Sequence, residues 1–181
     1  MSKVDFSYLI SNVVGVVREA QIKLGPTSSP ISLYYPLAAL NRQLGTNASA
    51  EEMQTILEDF KKVAAKTLGQ VSVSHEPERF CFTVSVDGCL KVLRETDDGG
   101  FLKEFTTLVQ LGGNFDEVKA LFCKFSEKAI CKTIGNDEFD AVFYFADGKP
   151  DDFRYCVKFE EDHTHYHRFT PMDFAAFGYE I

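Results

Sequence analysis

The apolar residues of this 181-residue chain change their spacing near Gly69. Across residues 50–68 they recur every three or four positions, which predicts an amphipathic helix. Ser49 and Glu52 match a capping box at its start, a pair that satisfies free amides at a helix N-terminus. Directly after Gly69, residues 71–85 contain two short strand-like segments, so the chain is restricted to a mixed fold. The side chains predicted to be buried by the helix are Met53, Ile56, Leu57, Phe60 and Val63.

The rest of the chain extends this helix-then-strand order. Helical spacing recurs up to residue 126, and residues 129–169 consist of strand-like segments separated by turn signals such as Asp147-Gly148. Thr170 can cap a short final helix that begins at Pro171. We therefore predict one domain spanning residues 1–181 with an α+β fold. In this fold, helices of a helix-rich region (1–126) pack against a C-terminal antiparallel β-meander (mainly 129–169), and a short C-terminal helix follows.

Charge and cysteine content narrow the functional classes. The 27 acidic and 19 basic side chains give a formal net charge of −8, so we expect neither nucleic acid nor an anionic membrane as a partner. The five cysteines form no CxxC pair, which is typical of reduced thiols in a cytoplasmic protein. The N-terminus lacks the pattern of a signal peptide, and no segment has the length of apolar sequence that a membrane span needs.

The segment EEDHTHYHRF contains three of the four histidines. They are His163, His165 and His167, at every second position, so a strand would place them on one face. Two neighbouring imidazoles can bind one zinc ion, but the outer pair would stand ~13 Å apart along the strand. A His-x-His pair with a further ligand from elsewhere is therefore the realistic metal site.

The preceding strand determines what faces these histidines. If Glu161-Asp162 is a two-residue turn, opposed residues have numbers that sum to 323. The aromatic residues of the strand then share a core face, and the polar ones share the opposite face with the histidines. That opposite face, our candidate surface site, contains Arg154, Cys156, Lys158, Glu160, His163, His165 and His167.

Three interpretations of this face remain open. A solvated polar surface is the leading one, and a surface that binds an unknown partner is the second. A catalytic or metal site is the third, in which His167 could activate Cys156 as a thiolate. Lys158 would repel a metal cation, and Glu161-Asp162 is not a sequence favoured in tight turns. We therefore expect no metal ligands and no cofactor.

The segments LYYPLAALN and PDDFRYCVKFE, the latter followed by YHRFT, resemble a small uncharacterised bacterial family, a domain of unknown function. The resemblance implies a bacterial cytoplasmic protein, and it supplies no activity, cofactor or catalytic residue. The function is thus unknown from sequence. A non-enzymatic cytoplasmic binding or association domain, with a protein partner or a second copy, is the leading hypothesis. The alternative is a metal- or thiol-dependent enzyme that uses the histidine face.

Overall fold

A computed structural model describes residues 4–25, 28–77, 79–96, 98–161 and 163–178. Its contacts divide the chain into two compact units, residues 1–96 and residues 97–181. Whether residues 1–181 form one domain stays a prediction, because the contacts within each unit do not decide it. Within the described ranges, no helix combines the length and the apolar composition that a membrane span requires.

Among its described residues, the first unit has four helices and a three-stranded antiparallel sheet, in which the third strand lies between the first and the second. The first strand was not predicted, and the capping box of Ser49 and Glu52 at the start of the third helix is confirmed. The elements are α1 (Ser7–Leu24), β1 (Ile31–Pro36), α2 (Leu37–Leu44), α3 (Ala50–Leu68), β2 (Val71–Glu76), β3 (Arg79–Val84) and α4 (Val86–Glu95).

The core of this unit lies between the helices and one face of the sheet. The central strand β3 contributes Phe82, whose ring meets Phe60 of α3 edge to face at 5.3 Å between centroids. Ile56 is partly buried, but the prediction that Val63 is buried is wrong, because this side chain is 46% exposed. The buried stripe of α3 includes Ala64, the next residue, in place of Val63. It consists of Met53, Leu57, Phe60, Ala64 and Leu68.

The second unit confirms the predicted antiparallel meander. The four strands among its described residues pair in the order in which they follow one another along the chain. With the helices of both units, this makes the fold α+β, as predicted. The elements are α5 (Phe101–Gln110), α6 (Phe115–Phe125), β4 (Ala129–Thr133), β5 (Ala141–Phe145), β6 (Arg154–Phe159), β7 (Thr164–Phe169) and α7 (Pro171–Ala176).

Different helices cover the two faces of this sheet. The helices α5 and α6 cover one face, where Phe101 and Phe122 pack edge to face on Tyr155 of β6. The short helix α7 lies on the other face, where Phe174 joins a buried cluster with Val142. Thr170 caps α7 as predicted, since its hydroxyl accepts from the backbone amide of Asp173. The histidines of β7 belong to the face on which α7 packs.

Candidate metal centre

The hairpin of β6 and β7 has the register that we predicted for a two-residue turn. Cys156 faces His167, and Lys158 faces His165, so the numbers of opposed residues sum to 323. The hairpin is closed by the backbone amide of Glu160, which donates to the carbonyl of His163 at 2.9 Å. Of the predicted turn, Glu161-Asp162, the second residue lies outside the described residues. The register places Cys156 and Lys158 on the same face as His165 and His167.

Cys156 is a correction to the predicted surface face. The three histidines are exposed, whereas Cys156 is completely buried. The reason is α7, which follows β7 and brings Phe174 into the same buried cluster as Cys156 and Val142. Burial raises the pKa of the Cys156 thiol to about 12, because removal from water disfavours the charged thiolate. The thiol opposite His167 is therefore not an activated nucleophile.

Lys158, whose charge would repel a metal cation at this face, forms an ion pair with Asp140. Its Nζ contacts Oδ1 of Asp140 at 2.9 Å. The other oxygen of Asp140 accepts from the backbone amide of Phe159 at 2.8 Å. The amide of Phe159 and the ammonium of Lys158 together lower the pKa of the Asp140 carboxyl, so this carboxylate is ionised at neutral pH and balances the charge of Lys158.

Three side chains that could ligate a metal converge at the turn end of the hairpin. The Nε2 atom of His163 lies 2.8 Å from Oε2 of Glu160, and Nε2 of His165 lies 3.6 Å from the same oxygen. The two imidazole rings are nearly perpendicular, with centroids 4.3 Å apart. One ligand atom from each of the three residues falls within 4.8 Å of the others. This group of Glu160, His163 and His165 is called the hairpin triad below.

His167 is the histidine of the candidate face that does not join the triad. Its ring packs on Phe169 at 4.4 Å between centroids, further along β7. The sequence placed Glu160 on the histidine face, but it did not identify Asp140. Asp140 precedes β5 and contacts a residue 18 positions later, so no local spacing signals the contact.

Comparisons with known proteins give a family and no activity. A family model described as "Domain of unknown function, E. rectale Gene description (DUF3877)" matches residues 6–178. The chain belongs to the DUF3877 family. The predicted resemblance to a bacterial family of unknown function is thereby confirmed, because the match spans nearly the whole chain. No curated protein and no solved structure matches the sequence of this DUF3877 chain.

Proposed function

We propose that this protein is a non-enzymatic cytoplasmic binding domain whose ligand is a divalent transition-metal ion, held by the hairpin triad. The observation that carries the proposal is the convergence of Glu160, His163 and His165 within 4.8 Å. This proposal replaces our expectation of no metal ligands, which was based on sequence.

The donor set selects the class of metal. Imidazole nitrogen suits zinc, copper and nickel, while magnesium and calcium favour sites built from oxygen alone. With two imidazoles and one carboxylate, the triad fits Zn²⁺, Ni²⁺ or Cu²⁺. Zn²⁺ is the simplest probe because it has no redox chemistry and tolerates this ligand mixture.

The spacing of the triad is close to that of a bound zinc ion. Metal–ligand bonds of ~2.0–2.1 Å at tetrahedral angles place neighbouring ligand atoms ~3.3 Å apart. The two distances from Oε2 of Glu160 are 2.8 Å to His163 and 3.6 Å to His165, on either side of that value. Small side-chain rotations would bring the three atoms to one ion. Such rotations are unhindered because the three side chains are 44–58% exposed.

The charges around the site favour a cation. Glu160 supplies a carboxylate, and the ion pair with Asp140 offsets the ammonium of Lys158. The whole chain has a formal net charge of −8, which attracts cations over a longer range. The positive charge of Lys158, which counted against a metal at this face in the sequence, is therefore offset by Asp140.

The exposure of the triad supports a binding role over an enzymatic one. Metal-ion catalysis relies on a shaped cavity that excludes water, and half-exposed side chains do not provide one. Burial of Cys156 opposes the thiol-dependent alternative for the same face. The five cysteines are free thiols, as expected in the reducing cytoplasm that we propose for this protein.

Metal content after equilibration tests the proposal. Untagged protein is incubated with excess Zn²⁺, desalted and measured by elemental analysis, with isothermal titration calorimetry for affinity. We expect about one zinc per chain for the unmodified protein. His163→Ala and Glu160→Gln should lose this zinc, because each removes one of three ligands. His75→Ala is the matched control, since it removes an exposed histidine outside the triad.

Two results would contradict the proposal. One is the absence of retained zinc in the unmodified protein. The other is equal retention by His163→Ala and the unmodified protein, which would place the metal elsewhere. Circular dichroism of each variant establishes that a loss of metal is not a loss of fold.

A further inference from the structure

We infer that a second copy of this chain completes the metal site, with His167 of each copy as the fourth ligand to the metal of the other. This inference rests on the proposed function, because it concerns the same ion at the hairpin triad. It couples metal binding to self-association. The partner is thus another molecule of this protein, joined through the histidine face of β7.

The triad on its own leaves a zinc ion short of a ligand. Structural zinc sites are almost always closed by four protein ligands in a tetrahedron. The triad supplies three, and these side chains are exposed at the turn end of the hairpin, where another molecule can approach. A fourth ligand from a second molecule closes the site without any rearrangement of the hairpin.

The chain's own His167 cannot supply that fourth ligand. It lies four positions after His163, which corresponds to ~13 Å along the strand from that ligand of the triad. Its ring packs on Phe169, further away from the triad, with centroids 4.4 Å apart. Yet His167 is exposed and lies on the same strand face as His163 and His165. It is therefore an available imidazole that its own triad does not reach.

A two-fold symmetry axis between two copies would bring His167 of each copy to the triad of the other. If the axis lies above the histidine face at the level of Tyr166, perpendicular to β7 and parallel to the sheet, His165 of one copy meets His167 of the other. The same operation produces the reciprocal contact, so each copy gives three ligands to one ion and one ligand to the second ion. Such an isologous contact is the commonest form of homodimer. One ion per chain and two ions per dimer follow from this symmetry.

The end of α7 fits this arrangement. The axis would bring the region after β7 of one copy beside the hairpin end of the other copy. Phe177 lies in that region, packs on Phe169 with ring centroids 5.3 Å apart and is 64% exposed. Contact with a second copy would remove part of this apolar ring from water, which favours association.

Charge explains why the metal is required. Each copy has a formal net charge of −8, so two metal-free copies repel one another. Each bound dication offsets two negative charges at the contact itself. The metal-free protein is therefore expected to be a monomer, and the zinc-loaded protein a dimer.

Molar mass measured with and without zinc tests the inference. Untagged protein is analysed by size-exclusion chromatography with light scattering, first with EDTA and then with equimolar Zn²⁺. We expect a mass near 20.4 kDa with EDTA and about twice that mass with zinc, reversed when EDTA is added again. His167→Ala should bind about one zinc per chain but stay monomeric, because it keeps the triad and lacks only the reciprocal ligand. His75→Ala should dimerise like the unmodified protein.

The outcomes separate this inference from the proposed function. Zinc binding with an unchanged molar mass would contradict the metal-dependent dimer but not the metal site itself. A zinc-dependent dimer that persists in His167→Ala would overturn the assignment of the fourth ligand. If the unmodified protein binds no zinc, the proposed function fails, and the inference fails with it.

Discussion

Replacement of Phe60 by alanine is the perturbation whose cost the structure defines best. The ring is completely buried in the core of the first unit. It makes edge-to-face contacts with Phe6 and Phe82, at centroid distances of 5.8 and 5.3 Å. Burial and the residual cavity give ~3–5 kcal/mol for a Phe→Ala change in a core. The aromatic pairs favour the upper part of that range, since each adds ~0.5–1.5 kcal/mol.

Urea unfolding followed by circular dichroism measures this loss directly. Val63→Ala is the matched control, because Val63 lies three residues later on the same helix and is 46% exposed. Its replacement should change the free energy of unfolding by less than ~0.5–1 kcal/mol. A cost below ~1 kcal/mol for Phe60→Ala, or equal costs for the two variants, would refute the assignment of the buried face.

Three further results are expected. At pH 8 a maleimide should label the exposed Cys123 and leave Cys156 unlabelled, since a pKa of about 12 leaves only ~1 in 10⁴ of that thiol ionised. Tyr155→Phe should lower the free energy of unfolding by ~1–3 kcal/mol, because the buried hydroxyl donates to the Asp151 carboxylate. Asp140→Asn should destabilise the protein at pH 7. That deficit should shrink below about pH 4, because the lowered pKa makes the carboxylate stabilising only above the range where it protonates.

Each of these results has a contrary outcome. Rapid labelling of Cys156 in the native protein would show that α7 does not cover it. An unfolding free energy for Tyr155→Phe within error of the unmodified protein would mean that its hydroxyl contact adds nothing. An Asp140→Asn deficit that stays constant from pH 7 to pH 3 would exclude a contribution from ionisation.

The elements with strong local signals could be predicted from sequence. The capping box of Ser49 and Glu52 is a contact between residues three positions apart, and such contacts depend on neighbours alone. The pairing of β6 with β7 was predicted for a similar reason, because a tight turn fixes the register of its two strands. That register correctly placed Glu160 beside His163, and thus the main contact of the triad.

The strand β1 was missed because its partner is distant in sequence. Tyr34 pairs with Cys81 of β3, and Pro36 favours the first turn of a helix, so the local segment carries no clear signal for a strand. Proline suits both the first turn of a helix and the end of an edge strand. Here Pro36 ends β1 and directly precedes α2, so both interpretations describe part of the segment. Pairing over such a separation leaves no local pattern.

The sequence alone determined which side chains share a face within each strand, because the period of a strand is two residues and depends on no other part of the chain. Only the tertiary structure decided what happens to each of them. Cys156 is buried because α7 packs on it. The charge of Lys158 is balanced by the carboxylate of Asp140, which directly precedes β5. The burial of Cys156 and the charge balance of Lys158 both depend on residues that are distant in sequence. For that reason we propose the exposed triad, and not the thiol, as the ligand-binding part of this face.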